Sequence, residues 1–270
     1  MTEHTHVVTE MDETVEGLMW LRLSRPEARN AYSMEMVHGL VAALTEATLD
    51  DAVRAVVITG EGSAFSAGGD LKLMQEHRGM FAGGPAEVRT RYLEGIHQIP
   101  RRIARFDKPL IAAVNGPAIG AGLDLACMCD IRIAAASAKF GSTFVRVGLI
   151  PGDGGAYFLT RTVGFPRALE LVMSGRILNT EEALRIGLVS AVVEDAELQD
   201  AARKQAERLL RASPIAVRLA KRLCYRAYES SLEASLELAA SYQGMAQTTA
   251  DHDEAVAAML EKRRPVYRGK

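Results

Sequence analysis

Two glycine-rich stretches hold the residues best suited to chemistry. The first is Ala64-Phe65-Ser66-Ala67-Gly68-Gly69-Asp70-Leu71 and the second is Asn115-Gly116-Pro117-Ala118-Ile119-Gly120-Ala121-Gly122-Leu123-Asp124. Glycine at such places lets a backbone N–H approach a ligand with no Cβ in the way. A helix beginning near Ala121 would also present unpaired N–H groups carrying partial positive charge. Two such N–H groups converging on one oxygen make an oxyanion hole, preorganised for charge that develops in a transition state. Each stretch taken alone is also compatible with a plain strand-to-helix turn.

Three common motifs do not fit. In Gly120-Ala121-Gly122 the third glycine of a dinucleotide fingerprint is replaced by Leu125. A phosphate loop needs Gly-Lys-Ser/Thr, and the sole Gly-Lys pair closes the chain. Ala64-Phe65-Ser66-Ala67-Gly68 resembles a nucleophile elbow, with His252 late in the chain as a hydrolase base should be. The elbow serine belongs at a strand end, however, and Ser66 lies well beyond Thr59, where the preceding strand pattern stops.

The elements that must carry these turns alternate. Val15 to Leu23 reads as a strand ended by Ser24-Arg25-Pro26. Ser33 is the expected N-cap of a helix bearing Met34, Val37, Leu40, Val41 and Leu44 at helical spacing. Val53 to Thr59 is the next strand, an amphipathic helix carries Val88, Tyr92, Ile96, Ile99 and Ile103, and Leu110 to Val114 and Ile131 to Ala135 are further strands. Crossover-sized spacings predict an α/β layer with parallel strands. After Leu188 to Val193, helices are expected from near Ala196, Pro214, Ser231 and Asp251, the last opened by a capping box Asp251-His252-Asp253-Glu254. This divides the chain into a core, residues 1–195, and a helical region, residues 196–270. Gln75 to Pro85 reads as a mobile loop, and His4 and His6 lie in what reads as a disordered arm.

The 270 residues carry 32 Lys+Arg against 34 Asp+Glu, a formal charge of −2, so the basic footprint of a nucleic-acid binder is missing. Three cysteines make no disulfide framework and point to a reducing compartment. Cys127 and Cys129 have C-x-C spacing with no second cluster, so they read as small buried residues and no metal is expected. Met1 to Gly17 shows no basic-then-apolar leader pattern, and no apolar run approaches the ~18 residues a membrane span needs. A soluble, cytoplasmic protein is the expectation, without membrane or nucleic-acid partners.

The chain resembles the crotonase superfamily, the enoyl-CoA hydratases and isomerases. Five blocks in order carry the resemblance: Leu23 to Ala31, Ala64 to Leu71, Lys108 to Gly116, Gly148 to Gly155, and Leu260 to Pro265. The resemblance implies a crotonase-like α/β fold of repeated ββα units, with a C-terminal helical trimerisation region and a homotrimer or dimer of trimers. It implies an acyl-CoA substrate, no cofactor beyond the coenzyme A of that substrate, and an enolate held by the N–H groups of Gly69 and Ala121. Ala28, Arg29 and Ala67 match positions along the CoA moiety, and Asp70, Leu71, Gly120 and Phe144 match substrate-facing positions. Lys262 matches a position that reaches CoA phosphates, sometimes from a neighbouring subunit; by itself it reads as a solvated helix end.

Hydratases of this family hold a water between two glutamates. The first falls at Asp124, a carboxylate one methylene shorter, in an apolar stretch that should desolvate it and raise its pKa. The second falls at Phe144, whose ring neither accepts a hydrogen bond from water nor moves a proton. Some isomerases of the family combine an apolar residue there with an aspartate on the following loop. Asp153 stands on that loop, displaced by one residue. The alternatives are a first-turn aspartate meeting the helix dipole for Asp124, and a turn aspartate capping the next helix for Asp153. The leading expectation is double-bond isomerisation through a dienolate, with hydration by Asp124 and Asp153 as the alternative. A crotonase-fold protein that binds without catalysing is the reading from another class. Met74, Phe81, Tyr92 and Tyr157 are candidates to shape an acyl pocket.

Overall fold

A computed structural model describes residues 2–270. The strands are β1 (Thr2–His4), β2 (Val7–Met11), β3 (Leu18–Leu23), β4 (Ala55–Gly60), β5 (Leu110–Val114), β6 (Ala118–Ile119), β7 (Ile131–Ala135), β8 (Phe140–Gly141) and β9 (Ala191–Val193). The helices are α1 (Met34–Leu49), α2 (Leu71–Gln75), α3 (Pro85–Arg91), α4 (Gln98–Ile103), α5 (Ala121–Met128), α6 (Gly155–Val163), α7 (Phe165–Ser174), α8 (Thr180–Arg185), α9 (Leu198–Leu210), α10 (Pro214–Ala227), α11 (Leu232–Gln247) and α12 (Ala250–Leu260).

The main sheet runs β1-β2-β3-β4-β5-β7-β9, antiparallel from β1 to β3 and parallel from β3 onward. β4 and β5 are buried along their whole length, as parallel strands covered on both faces must be. On one face α1 packs Met36, Val37, Leu40 and Leu44 against Leu21, Leu23, Val56 and Ile58. On the other, Leu198, Ala202 and Ala206 of α9 cover Trp20, Val57 and Ala113. The small parallel sheet β6-β8 is separate from the main sheet, although its Ala118 and Phe140 join the same core. An isolated bridge from Ser66 to Ala118 joins the two glycine-rich stretches, and another pairs Tyr32 with Gly69.

Several expectations need correction. The N-terminal arm is an ordered hairpin: His6 takes the left-handed φ of 64° at the turn, its Nδ1 lies 2.9 Å from the Ser33 hydroxyl, and β2 extends the sheet along β3. Val15 precedes β3 in a turn whose N–H groups the Asp12 carboxylate accepts, so the first core strand starts only at Leu18. The Val88 to Ile103 helix is interrupted by a π-turn at Tyr92–Ile96. Gln75 to Pro85 holds a 3₁₀ turn, Gly79–Phe81, anchored by buried Met80. Thr249, not Asp251, caps α12. The Asp251 carboxylate instead accepts from Ser213 and from the N–H groups of Arg268 and Gly269, tying down the C-terminal tail. Trp20 does more than pack, because its indole N–H donates to Asp12 at 2.7 Å.

α10 and α11 contain no buried residue. α10 is held by polar contacts: Lys221 to Asp130 at 2.7 Å, Tyr225 donating to the same carboxylate at 2.8 Å, and Arg218 to Asp107 at 2.8 Å. Leu232, Leu236 and Met245 of α11 and Met259 and Leu260 of α12 are exposed. Among the described residues no helix is long and apolar enough to cross a membrane.

Candidate active site

The site forms where the two glycine-rich stretches meet. Gly68 has φ +82°, and a Cβ there would stand 2.9 Å from the Ala121 nitrogen and run into the Ile119 carbonyl. Only glycine allows that approach. Tyr32 N–H donates to the Gly68 carbonyl at 2.7 Å, which orients the strand that continues into Gly69. Ala121 is the first residue of α5, so its N–H has no acceptor inside the helix. Gly69 and Ala121 both line a cavity of about 290 Å³. Its wall is mostly apolar, with Met74, Phe81, Tyr92, Ile96, Phe144 and Leu149 contributing.

Of the substrate-facing positions expected from the sequence, Ala67, Leu71, Gly120 and Phe144 line this cavity, and the Phe144 ring rests about 3.7 Å from where a Gly120 Cβ would be. The Asp70 carboxylate is engaged elsewhere: it accepts from the Lys72 and Leu73 N–H groups to cap α2 and pairs with Arg25 at 2.9 Å. Ala28 and Arg29 are not part of the cavity lining, but the Ala67 N–H, from a residue that is, donates to the Arg29 carbonyl at 2.9 Å. Lys262 is exposed just beyond α12 and lies outside the cavity lining of the single chain. Tyr157 also faces elsewhere, under the Arg161 guanidinium at 3.4 Å.

Asp124 and Asp153 converge. Asp124 is fully buried in the first turn of α5, and Asp153, only 3% exposed, lines the cavity from the loop before α6. None of their four carboxylate oxygens has a side-chain donor; the Gly155 N–H faces Asp124, and the two carboxyl groups are close enough to act on one another. Burial and a neighbouring carboxylate both disfavour the ionised form of an acid. Burial, and then the Asp153 charge, hold the Asp124 carboxyl well above the usual carboxylate range. The capping reading of Asp153 is overturned, since Gly154 occupies the N-cap of α6 and the Asp153 oxygens accept nothing. Gly155 has to lack a side chain because a Cβ would collide with both Asp124 oxygens.

Residues that pattern alone did not single out complete the site. His97, placed by the π-turn, has Nε2 2.7 Å from the Gly152 carbonyl and so braces the Asp153 loop. Tyr32 follows a recognisable block but belongs to the site only through its bridge to Gly69. Among the described residues no group of three or more His, Cys, Asp or Glu is placed to hold a metal.

The proton on Asp124 makes a stability prediction. The folded protein keeps a proton that the unfolded chain releases above the ordinary carboxylate value of about 3.9, so this group's contribution falls as pH rises from there toward the folded pKa. Asp124→Asn abolishes that dependence. Its melting temperature, scanned from about pH 4 to about pH 8, should exceed that of the parent by a margin that widens with pH; parallel curves would show that Asp124 titrates normally.

Fold and site together have the makings of an enzyme: the Gly69 and Ala121 backbone on one wall of a cavity, two buried carboxyl groups on another, and apolar surface between. Comparison with known proteins agrees. The enoyl-CoA hydratase/isomerase family profile matches residues 13–270. The chain is 39% identical over 255 residues to 1,2-epoxyphenylacetyl-CoA isomerase of Escherichia coli, covering 94% of this chain and 96% of that one. It is 38% identical over 253 residues to crotonyl-CoA hydratase of Syntrophomonas wolfei, covering 93% and 95%. The crystal structure of enoyl-CoA hydratase from Bacillus anthracis superposes with a TM-score of 0.91 at 33% identity, over 98% of this chain and 100% of that one. The chain belongs to the enoyl-CoA hydratase/isomerase family, and its fold is the crotonase fold.

Proposed function

We propose that the protein moves the double bond of an enoyl-CoA thioester through a dienolate, with the Asp124/Asp153 pair as proton shuttle. The observation that carries this reading is the pair itself, two buried carboxyl groups without side-chain donors, with an aromatic wall at Phe144 in place of a second glutamate. The thioester oxygen would accept from the Gly69 and Ala121 N–H groups. The ionised member of the pair takes the proton from C2 of a 3-enoyl chain, and the electron pair moves onto that oxygen. Return of the proton to C4 leaves a C2=C3 bond and restores the pair. Each transfer changes one O–H for one C–H, so no further reactant is needed. The CoA part of the substrate is the only coenzyme this chemistry calls for.

Hydration is the second reading, favoured by the same unpartnered oxygens, which would accept from a water, and by the hydratase names of several relatives. Proton NMR with crotonyl-CoA and a 3-enoyl-CoA in deuterated water separates the two. Migration of the double bond with deuterium at C2 or C4 is the expected result. A 3-hydroxyacyl product would establish hydration instead, and no turnover of either substrate would overturn both.

The exposed apolar side chains of α11 and α12 support assembly as a trimer or dimer of trimers. In such an assembly Lys262 would meet CoA phosphates on its own or a neighbouring subunit. The composition supports work in the cytoplasm.

A further inference from the structure

The Tyr32 phenol has no part in the chemistry just described, yet it is almost wholly enclosed beside the acid pair. It is 1% exposed and lines the cavity. Its hydroxyl donates to the Ala121 carbonyl at 3.4 Å, beyond the ~2.7–2.8 Å at which O–H donors usually settle. A buried hydroxyl with so weak an acceptor shares the cavity lining with Asp153 and reaches the turn of α5 that carries Asp124, and the oxygens of both aspartates lack a side-chain donor. The charges that act on the phenol are those of Asp153 and then Asp124, after burial itself. Donor and acceptors thus complement each other within one enclosed cluster.

We propose that Tyr32 is a positioning residue for the acid pair: its O–H turns from the Ala121 carbonyl to the ionised carboxylate and holds it toward the substrate carbon. The proposal rests on the Asp124/Asp153 shuttle. Hydrogen bonding to the anion favours the ionised form, so Tyr32 keeps one member of the pair available as a base despite its burial. It also offsets the desolvation that a buried, unpaired carboxylate suffers. The other groups facing this cluster are the Tyr92 hydroxyl from the π-turn, Cys127 within α5, Cys129 just after it, and the Gly155 N–H at the start of α6. His97 is held on the Gly152 carbonyl. Arg146 also lines the cavity, but no hydrogen bond joins it to either aspartate, which leaves a hydroxyl donor as the means of stabilising the anion within the cluster.

Tyr32→Phe keeps the ring and the packing while deleting the donor. Two assays read it out: turnover of a 3-enoyl-CoA, and deuterium incorporation at C2 of butyryl-CoA in deuterated water, which needs only the base and the N–H pair. The variant is expected to lose about 10–100-fold in both rates with KM within about twofold, in line with removal of a group that aids proton transfer. The acidic limb of its kcat/KM profile should move to higher pH, because the anion has lost a donor; a merely structural role would not move that limb. Tyr157→Phe, at a ring outside the cavity lining beneath Arg161, is the control and should leave the limb in place. Unchanged rates and an unmoved limb in Tyr32→Phe would overturn the proposal, as would a shift seen only in Tyr157→Phe. Failure of the parent enzyme to exchange the C2 proton would instead remove the shuttle itself, which distinguishes the two failures.

Discussion

Turnover by the Asp153→Asn and Asp124→Asn proteins is expected to fall about 10²–10⁴-fold each, the usual loss when a general acid/base is removed. Asparagine keeps the volume of the side chain and cannot exchange a proton with carbon, so KM for the thioester should change little. The double variant should be scarcely slower than the worse single one if the two groups work as one shuttle, as proposed. Single-turnover NMR with a 3-enoyl-CoA reads the chemical step directly. Full turnover by the double variant would remove both residues from the mechanism.

The second large effect concerns a backbone group that ordinary side-chain substitution leaves intact. Ala121 is the first residue of α5, the helical position that tolerates proline best, because the N–H there has no helical acceptor and φ is already suitable. Gly120 before it has φ 55° and ψ −121°, outside the α region that a following proline disfavours. Ala121→Pro should therefore fold while removing one of the two N–H groups proposed to hold the thioester oxygen. The expected cost is about 10²–10³ in kcat. Thermal unfolding close to that of the parent, together with lost turnover, would identify the N–H as the missing part. A fully active Ala121→Pro protein would place the thioester oxygen elsewhere.

The sequence by itself determined the alternating frame and the locations of its turns. Ser33 caps α1 and Leu110 to Val114 forms β5 as local pattern requires, because capping and strand burial act over a few residues. The glycines at Gly68 and Gly120 were legible for the same reason, since positive φ and close backbone approach admit little else. The order of the five blocks was enough to reveal the family. Local pattern misread the N-terminal arm, because what orders it is β3, a strand separated from it in sequence, and no single segment announces its partner. It also misplaced Asp251, whose carboxylate is satisfied by backbone from the far end of the chain.

The site was legible only in part. Asp124 and Asp153 could be named as carboxylates on the right turns, but whether Asp153 capped α6 or faced Asp124 depended on Gly154 taking the cap and on Gly155 leaving room for the Asp124 oxygens. Asp70 matched a substrate-facing position, and only its three-dimensional neighbours, Arg25 and the first turn of α2, revealed a structural task. Tyr32 and His97 carry no motif of their own. Their approach to the acid pair follows from the Tyr32–Gly69 bridge and from the π-turn, which are long-range and conformational facts. Residue type and spacing specify which groups are available for chemistry. Tertiary packing decides which of them are dry, which are paired, and therefore where the protons reside.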